Sequence, residues 1–192
     1  MDFNFEAFKQ TLYKESKLVF PEIIKQLKSE GIYSIALYRC GDDWRSISPS
    51  VLTDKELNAV AAKYKRDQQY MDQFLSEIIT NIKWSVEDSS RHQDLLAILA
   101  GSNAFCSEIT ELMEEYTDTN QDSEAKELDE LLSEACLEVL SRLDKEGAFD
   151  AIERSSFVLN LLSDKQTKAL RFQRAKQLNP TKVIKAFQAD FR

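Results

Sequence analysis

The spacing of apolar positions opens the chain on a helix. Phe8, Leu12, Val19, Ile23 and Leu27 recur at helical intervals, Asn4 is placed to cap the start, and Phe3 can pack on Phe8 across the first turn. Pro21 lacks a backbone donor and disfavours helical geometry at Phe20, so a kink or division is expected there, and Gly31 supplies a stop. The period then changes. In Ile32-Tyr33-Ser34-Ile35-Ala36-Leu37-Tyr38 both alternating faces are apolar or small, which predicts a strand covered on two sides. Gly41-Asp42-Asp43 has turn chemistry, and Trp44 to Val51 reads as a shorter strand returning antiparallel, with Pro49 at a sheet edge.

Helical spacing resumes after Thr53 or Asp54 as cap, with Leu57, Val60, Ala61 and Tyr64 on one face and then Met71, Leu75, Ile78 and Ile79; whether Lys65 to Gln69 interrupts it stays open. Beyond the polar run Ser85-Val86-Glu87-Asp88-Ser89-Ser90, another stripe joins Leu95, Ile98, Leu99, Phe105, Ile109, Leu112, Met113 and Tyr116, bent or divided at Gly101. The clearest helix is Glu124 to Glu146. There Leu128, Leu131, Leu132, Ala135, Cys136, Val139, Leu140 and Leu143 share a face, and the opposite face is almost wholly carboxylate. Ser123 suits its N-cap, and Lys145 before Gly147 suits its end. The preceding Asp118 to Asp122 is polar, without apolar anchors, and expected to be flexible. Ser156 to Leu162 reads as a last strand, followed by a basic helix through Ala169, Phe172 and Leu178. Asn179-Pro180 should end that helix and start another, with Asn179 as cap, leading into Val183, Ile184, Phe187 and Phe191. The predicted architecture is a helix-rich α+β single domain over 1–192. Its small, mainly antiparallel sheet, an N-terminal hairpin plus a C-terminal strand, is packed by several amphipathic helices.

Composition agrees with long regular elements, because a 43% hydrophobic chain with only four Gly and three Pro can bury a core without staples. No apolar run approaches the ~18 residues of a membrane span. The opening Met1-Asp2-Phe3-Asn4 has no basic segment of the secretory kind, so a cytoplasmic protein is expected. Cys40, Cys106 and Cys136 are scattered and odd in number, which predicts reduced, mostly buried thiols and no thiolate metal site.

Charge changes the picture more than composition does. The chain carries −8 overall, yet between Glu108 and Glu153 sixteen acidic residues face only Lys126, Arg142 and Lys145, whereas Arg154 to Arg192 holds nine basic residues against Asp164 and Asp190. Such a split implies either faces that complement each other or a negative surface offered to a basic partner. For the cations Lys165, Lys168, Arg171, Arg174, Lys176, Lys182 and Lys185, pairing with the acidic helix is favoured over nucleic-acid binding, since the net charge opposes long-range attraction to phosphate.

Catalytic chemistry finds little support. His92 is the only histidine, so any histidine-based acid, base or triad would have to use it, and it stands in a polar stretch. Glu111, Glu114 and Glu115, and Glu127, Glu130 and Glu134, fall three or four apart on helices, but the Glu-x-x-His companion of a carboxylate metal bundle is missing and solvated faces are the ordinary reading. With Gly31, Gly41, Gly101 and Gly147 alone, neither phosphate-loop nor dinucleotide fingerprint can be written. No catalytic, cofactor or metal residue is therefore assigned. Trp44 and Trp84 each sit beside polar residues and are candidates for partly exposed anchors.

Taken in order, the strand Ile32 to Tyr38, Ser48-Pro49, Lys83-Trp84-Ser85-Val86-Glu87-Asp88, Phe149 ahead of a hydrophobic strand, and Ala175-Lys176-Gln177-Leu178-Asn179-Pro180 make the chain resemble the bacterial domain-of-unknown-function family 4303 along nearly its whole length. It departs from that pattern at Leu52-Thr53, where relatives show Asn-Thr, and at Ser89-Ser90, where they show a second Trp. The family is similar in size, acidity and single-domain form to immunity proteins that neutralise polymorphic toxins. The leading expectation is a non-enzymatic protein-binding domain. Its acidic helical face, with Glu111, Glu114, Glu115, Glu127, Glu130 and Glu134 and with Trp44 and Trp84 as anchors, would meet a basic protein such as a toxin domain. The alternative is a small-ligand protein or enzyme with a cleft near Tyr38, Trp44 and Trp84, using Glu87 or Asp88.

Overall fold

A computed structural model describes residues 3–41, 44–84, 96–164 and 166–189. Its helices are α1 (Phe5–Leu27), α2 (Asp54–Tyr64), α3 (Leu75–Ile82), α4 (Ala100–Asp118), α5 (Asp122–Lys145), α6 (Lys168–Leu178) and α7 (Thr181–Ala189), with strands β1 (Ile32–Cys40), β2 (Ser46–Thr53) and β3 (Val158–Ser163). The sheet runs β2-β1-β3, antiparallel between β1 and β2 and parallel between β1 and β3. The helix-rich α+β reading therefore holds. Pro49 lies on the edge strand, where its missing donor costs no ladder bond.

Both faces of β1 are covered, as its apolar alternation requires. Ile35, Leu37, Ile47, Val51, Leu159 and Leu161 join α1, α4 and α5 in the main core. Ala36, Tyr38, Leu52 and Leu162 form a smaller cluster, and Trp84, Val158, Ala175, Val183, Ile184 and Phe187 another. Burying the five largest aliphatic and aromatic side chains of α1 alone stabilises by roughly 1.5–3 kcal/mol each, so that helix is tied to the sheet by packing rather than by propensity. Asn4 caps α1 by accepting from the Ala7 amide at 3.0 Å, and the Phe3 and Phe8 rings lie 6.0 Å apart, as the spacing predicts. Pro21 does not divide α1. Phe20 and Ile24, both fully buried, hold the helix through it, and one lost hydrogen bond is the smaller effect.

Two further local expectations change, while the division expected near Gly101 is present: a 3-10 turn, Leu96–Leu99, gives way to α4 just before it. There the Glu15 carboxylate from α1 accepts from the Gly101 amide at 2.7 Å and from the Ser102 amide and hydroxyl at 2.9 and 2.6 Å. A Cβ at 101 would meet Glu15 Oε1 at 2.9 Å and Thr11 Cγ2 at 3.0 Å, so a larger residue there would have to push the capping carboxylate aside. Helix α5 begins at Asp122, ahead of Ser123, whose hydroxyl instead donates to Glu124; Gln121 is the N-cap. Asn179 does not act as an N-cap. Its side-chain amide accepts from Leu159 N at 2.8 Å and donates to Leu159 O at 2.7 Å, closing the free edge of β3 as a further strand would, and it also receives Arg154 Nη2 at 3.0 Å.

The stretch after Tyr64 does interrupt the second helical pattern. Lys65 Nζ turns back onto the carbonyls of Met71 and Gln73 at 2.6 and 2.5 Å, holding the loop that separates α2 from α3. Cys106 and Cys136 are buried free thiols and Cys40 is half-buried. Burial pushes the Cys106 thiol up to about 12, so it stays protonated and unreactive at neutral pH. No helix among the described residues is long and apolar enough to cross a membrane.

Candidate functional site: an acidic helical hairpin

Helices α4 and α5 form an antiparallel hairpin closed by a hydrogen-bonded turn. Thr119 N donates to Glu115 O at 3.0 Å and Gln121 N to Tyr116 O at 2.7 Å, with Asn120 taking the left-handed conformation that asparagine tolerates (φ 55°). Inward, Ile109, Met113, Leu128, Leu132, Cys136, Leu140 and Leu143 are buried in the main core. Outward stand the carboxylates. Between positions 108 and 134 eleven acidic residues face Lys126 as the single cation.

Glu111, Glu114, Glu115, Glu127, Glu130 and Glu134 are all exposed, and the hairpin brings both triplets to the same pair of helices. Glu130 lies 3.8 Å from Lys126 one turn away, a pair so exposed that it is worth only about 0.3–0.5 kcal/mol. The other five have no ion-pair partner among the described residues. Beside Glu134, an open groove of about 500 Å³ runs between α5 and α6, lined by both Glu138 and the cations Arg142 and Lys145, with the buried Leu137 and Leu178 along it.

Among the described residues Glu111, Glu114, Glu115, Glu127 and Glu134 have no C-terminal cation as ion-pair partner, contrary to the expected intramolecular pairing. Arg154 does reach the acidic helix with an ion pair, through Nε to both oxygens of Asp144 at 2.9 and 3.0 Å. Arg171 and Arg174 turn inward instead: Arg171 donates to the Trp84 carbonyl, and Arg174 Nη2 to the Ser133 hydroxyl at 2.7 Å. Desolvation lowers the pKa of both guanidiniums. Lys176 lies over the Phe172 ring at 4.6 Å, and Lys182 and Lys185 are exposed.

The partly exposed tryptophan anchors are corrected outright. Trp44 is 0% exposed and Trp84 7%, because each ring fills a core site. Trp44 Nε1 donates to Asp129 Oδ1 at 2.8 Å while the Arg39 guanidinium lies 4.9 Å from its ring centre; Trp84 packs edge-on against Tyr33 and Phe187 at 5.4 and 4.5 Å. Trp44 holds a positive φ of 58°, a strained conformation for a bulky residue that full burial of its ring offsets. Tyr38, Trp44 and Trp84 also fall into three different clusters. His92, Glu87 and Asp88 lie outside the described residues. Among the described residues no group of three His, Cys, Asp or Glu side chains is arranged around a common metal position.

Two functional-looking residues escaped the charge reading. Asp129 is on the carboxylate-rich helix yet faces inward, where Oδ1 takes both Arg39 Nη1 at 2.6 Å and Trp44 Nε1. Its signal was the spacing: it stands three, four and seven residues from Leu132, Ser133 and Cys136, on the buried stripe. Arg39 was visible as a lone cation ending a strand covered on both faces.

Fold and surface together define a helix-rich α+β protein that presents an acidic hairpin to solvent, with five of its carboxylates lacking an ion-pair partner among the described residues. Over residues 12–180 the chain matches the family described as Domain of unknown function (DUF4303), and it belongs to that family. No curated protein and no solved structure matches it.

Proposed function

We propose that the protein is a non-enzymatic binding protein whose α4–α5 hairpin docks a basic protein partner, and that it serves as an immunity protein neutralising a basic toxin domain. The observation that carries the reading is the set of exposed carboxylates Glu111, Glu114, Glu115, Glu127 and Glu134, which have no ion-pair partner among the described residues although a cation-rich segment follows in the same chain. A rigid, packed helical pair holding such a row accelerates encounter with a basic surface and offers charge-assisted hydrogen bonds to its Lys and Arg side chains. Such an arrangement mimics a run of phosphates, which suits a toxin that acts on nucleic acid.

The test is a pull-down from the native host at low salt with two baits, the wild-type chain and the triple variant Glu127→Lys, Glu130→Lys, Glu134→Lys. The reading expects a stoichiometric basic protein on the first bait, released by moderate salt and lost on the second. Recovery of no such protein, or equal recovery on both baits, overturns it.

A further inference from the structure

Behind the acidic hairpin, where α5 meets the sheet, lies a buried group of hydrogen-bond donors with too few acceptors. Arg174 on α6 is 5% exposed; its Nη2 donates to Ser133 Oγ, but its Nη1 is buried with no hydrogen-bond partner. Ser133, also 5% exposed, spends its oxygen on Arg174 and its own hydroxyl proton has no acceptor among the described residues. Two adjacent donors are therefore left over in a low-dielectric site, where each buried unsatisfied group costs about 1–3 kcal/mol and a guanidinium more. Arg39 stands close enough that its charge, after desolvation, lowers the Arg174 pKa, an effect that Asp129 opposes. Asp129 is close enough for its charge to act on Arg174, but its Oδ1 is already committed to Arg39 and Trp44.

The position in the fold agrees with a ligand. Arg39 pairs in register with Ser163 at the carboxyl ends of β1 and β3, the parallel strands of the sheet, which is where parallel sheets leave room for ligands. The Asp129 side chain, bound to Arg39, is 29% exposed and so the member of the group that reaches solvent. Asp164, the other carboxylate at this end, receives the Tyr38 hydroxyl and the Gly41 amide and does not serve Arg174.

We propose that Arg174 and Ser133, in the positive field of Arg39, form a receptor for one small anionic group, a carboxylate or a tetrahedral oxyanion, entering past Asp129. The anion accepts from Arg174 Nη1 and from the Ser133 hydroxyl. Arg39 supplies attraction without a direct bond, and Asp129 weakens the site by like-charge repulsion. This receptor is separate from the acidic docking face and stands or falls independently of it.

The experiment measures thermal unfolding of the full chain in sodium acetate, phosphate and sulfate titrated against chloride at constant ionic strength. Wild type should gain melting temperature in a saturable way with at least one of the three, acetate marking a carboxylate site and phosphate or sulfate a tetrahedral one. Arg174→Met should fold, since a buried cation without a counter-ion is replaced by an apolar chain of similar length, and should lose the anion response entirely. Asp129→Asn should tighten the apparent dissociation constant by about tenfold, because a competing negative charge is removed. A wild type indifferent to all three anions overturns the proposal, as does an equal response in Arg174→Met. If Arg174→Met does not fold, an Asp129→Asn chain no more responsive than wild type overturns it equally.

Discussion

The two halves of α5 have similar sequences of carboxylates and opposite fates. Toward its C-terminal end the carboxylates are closed into pairs: Glu138 meets Lys9 at 3.1 Å, Asp144 is chelated by Arg154, and Glu146 gathers Lys17 at 2.7 Å, Arg142 at 2.9 Å and the Tyr13 hydroxyl. Toward its N-terminal end Glu127 and Glu134 stand in solvent without an ion-pair partner among the described residues, Glu130 meets Lys126 on its own helix, and Asp129 alone turns inward, to Arg39. The difference lies in the neighbours. The C-terminal half crosses α1 and the segment after Phe149, which bring cations from distant sequence, whereas the N-terminal half is paired on its outer side with the equally acidic α4. A charge row is thus a docking surface only where tertiary structure leaves it unanswered.

That contrast can be broken or sharpened by substitution. The largest effect is expected from removing the shared support: Leu132→Ala, at a site 0% exposed, should cost about 2–5 kcal/mol in urea unfolding, while Leu131→Ala, 37% exposed, should cost well under half of that. Equal costs would mean that the helix is not oriented as described. Next, Arg154→Met removes the pair to Asp144 together with bonds to Leu178 O and Asn179 Oδ1, and should destabilise by about 2–3 kcal/mol. In the unpaired half Glu134→Gln should stay within about 0.5 kcal/mol of wild type. A large loss at Glu134 would show that this carboxylate has a structural task.

Glu15→Gln tests a carboxylate that is answered by backbone rather than by cations. It weakens the cap on α4 and should cost about 1–2 kcal/mol, with faster amide exchange at Gly101 and Ser102. The smallest effect is a pH dependence. The Lys17 ammonium first, then the Tyr13 hydroxyl and Arg142, hold the Glu146 carboxyl down to about 2 from an ordinary 4.5. A depressed carboxyl contributes stability that is present above its unfolded value and lost as pH falls through its folded one. The stability gap between wild type and Glu146→Gln should be full at neutral pH, narrow below about 4.5 and close near 2, and it should shrink in high salt. A gap that does not move with pH would remove the network from the account.

How much of this was legible beforehand follows the same division. Periodicity located α1, the β1–β2 hairpin, α5 and β3 because each buries a face that repeats in its own sequence, at Phe8 and Leu12 or at Ile35 and Leu37. What it missed depends on residues far apart in the chain. Glu15 capping α4, Asn179 sealing the edge of β3, and Asp129 turning toward Arg39 join positions separated by 86, 20 and 90 residues. The tryptophans misled for a related reason. Polar neighbours in sequence suggest exposure, but Trp44 has its polar partner, Asp129, inside the fold. Likewise Arg171 and Arg174 count as surface charge in composition and as buried donors in space.

The most direct test of the central claim is the dissociation constant of the complex with the basic partner, measured against salt concentration for wild type and for the Glu127→Lys, Glu130→Lys, Glu134→Lys chain. The account predicts wild-type affinity that falls steeply as salt rises, and a variant weakened by about a hundredfold at low salt that converges on wild type at high salt. Equal affinities for the two chains across the salt range would contradict it.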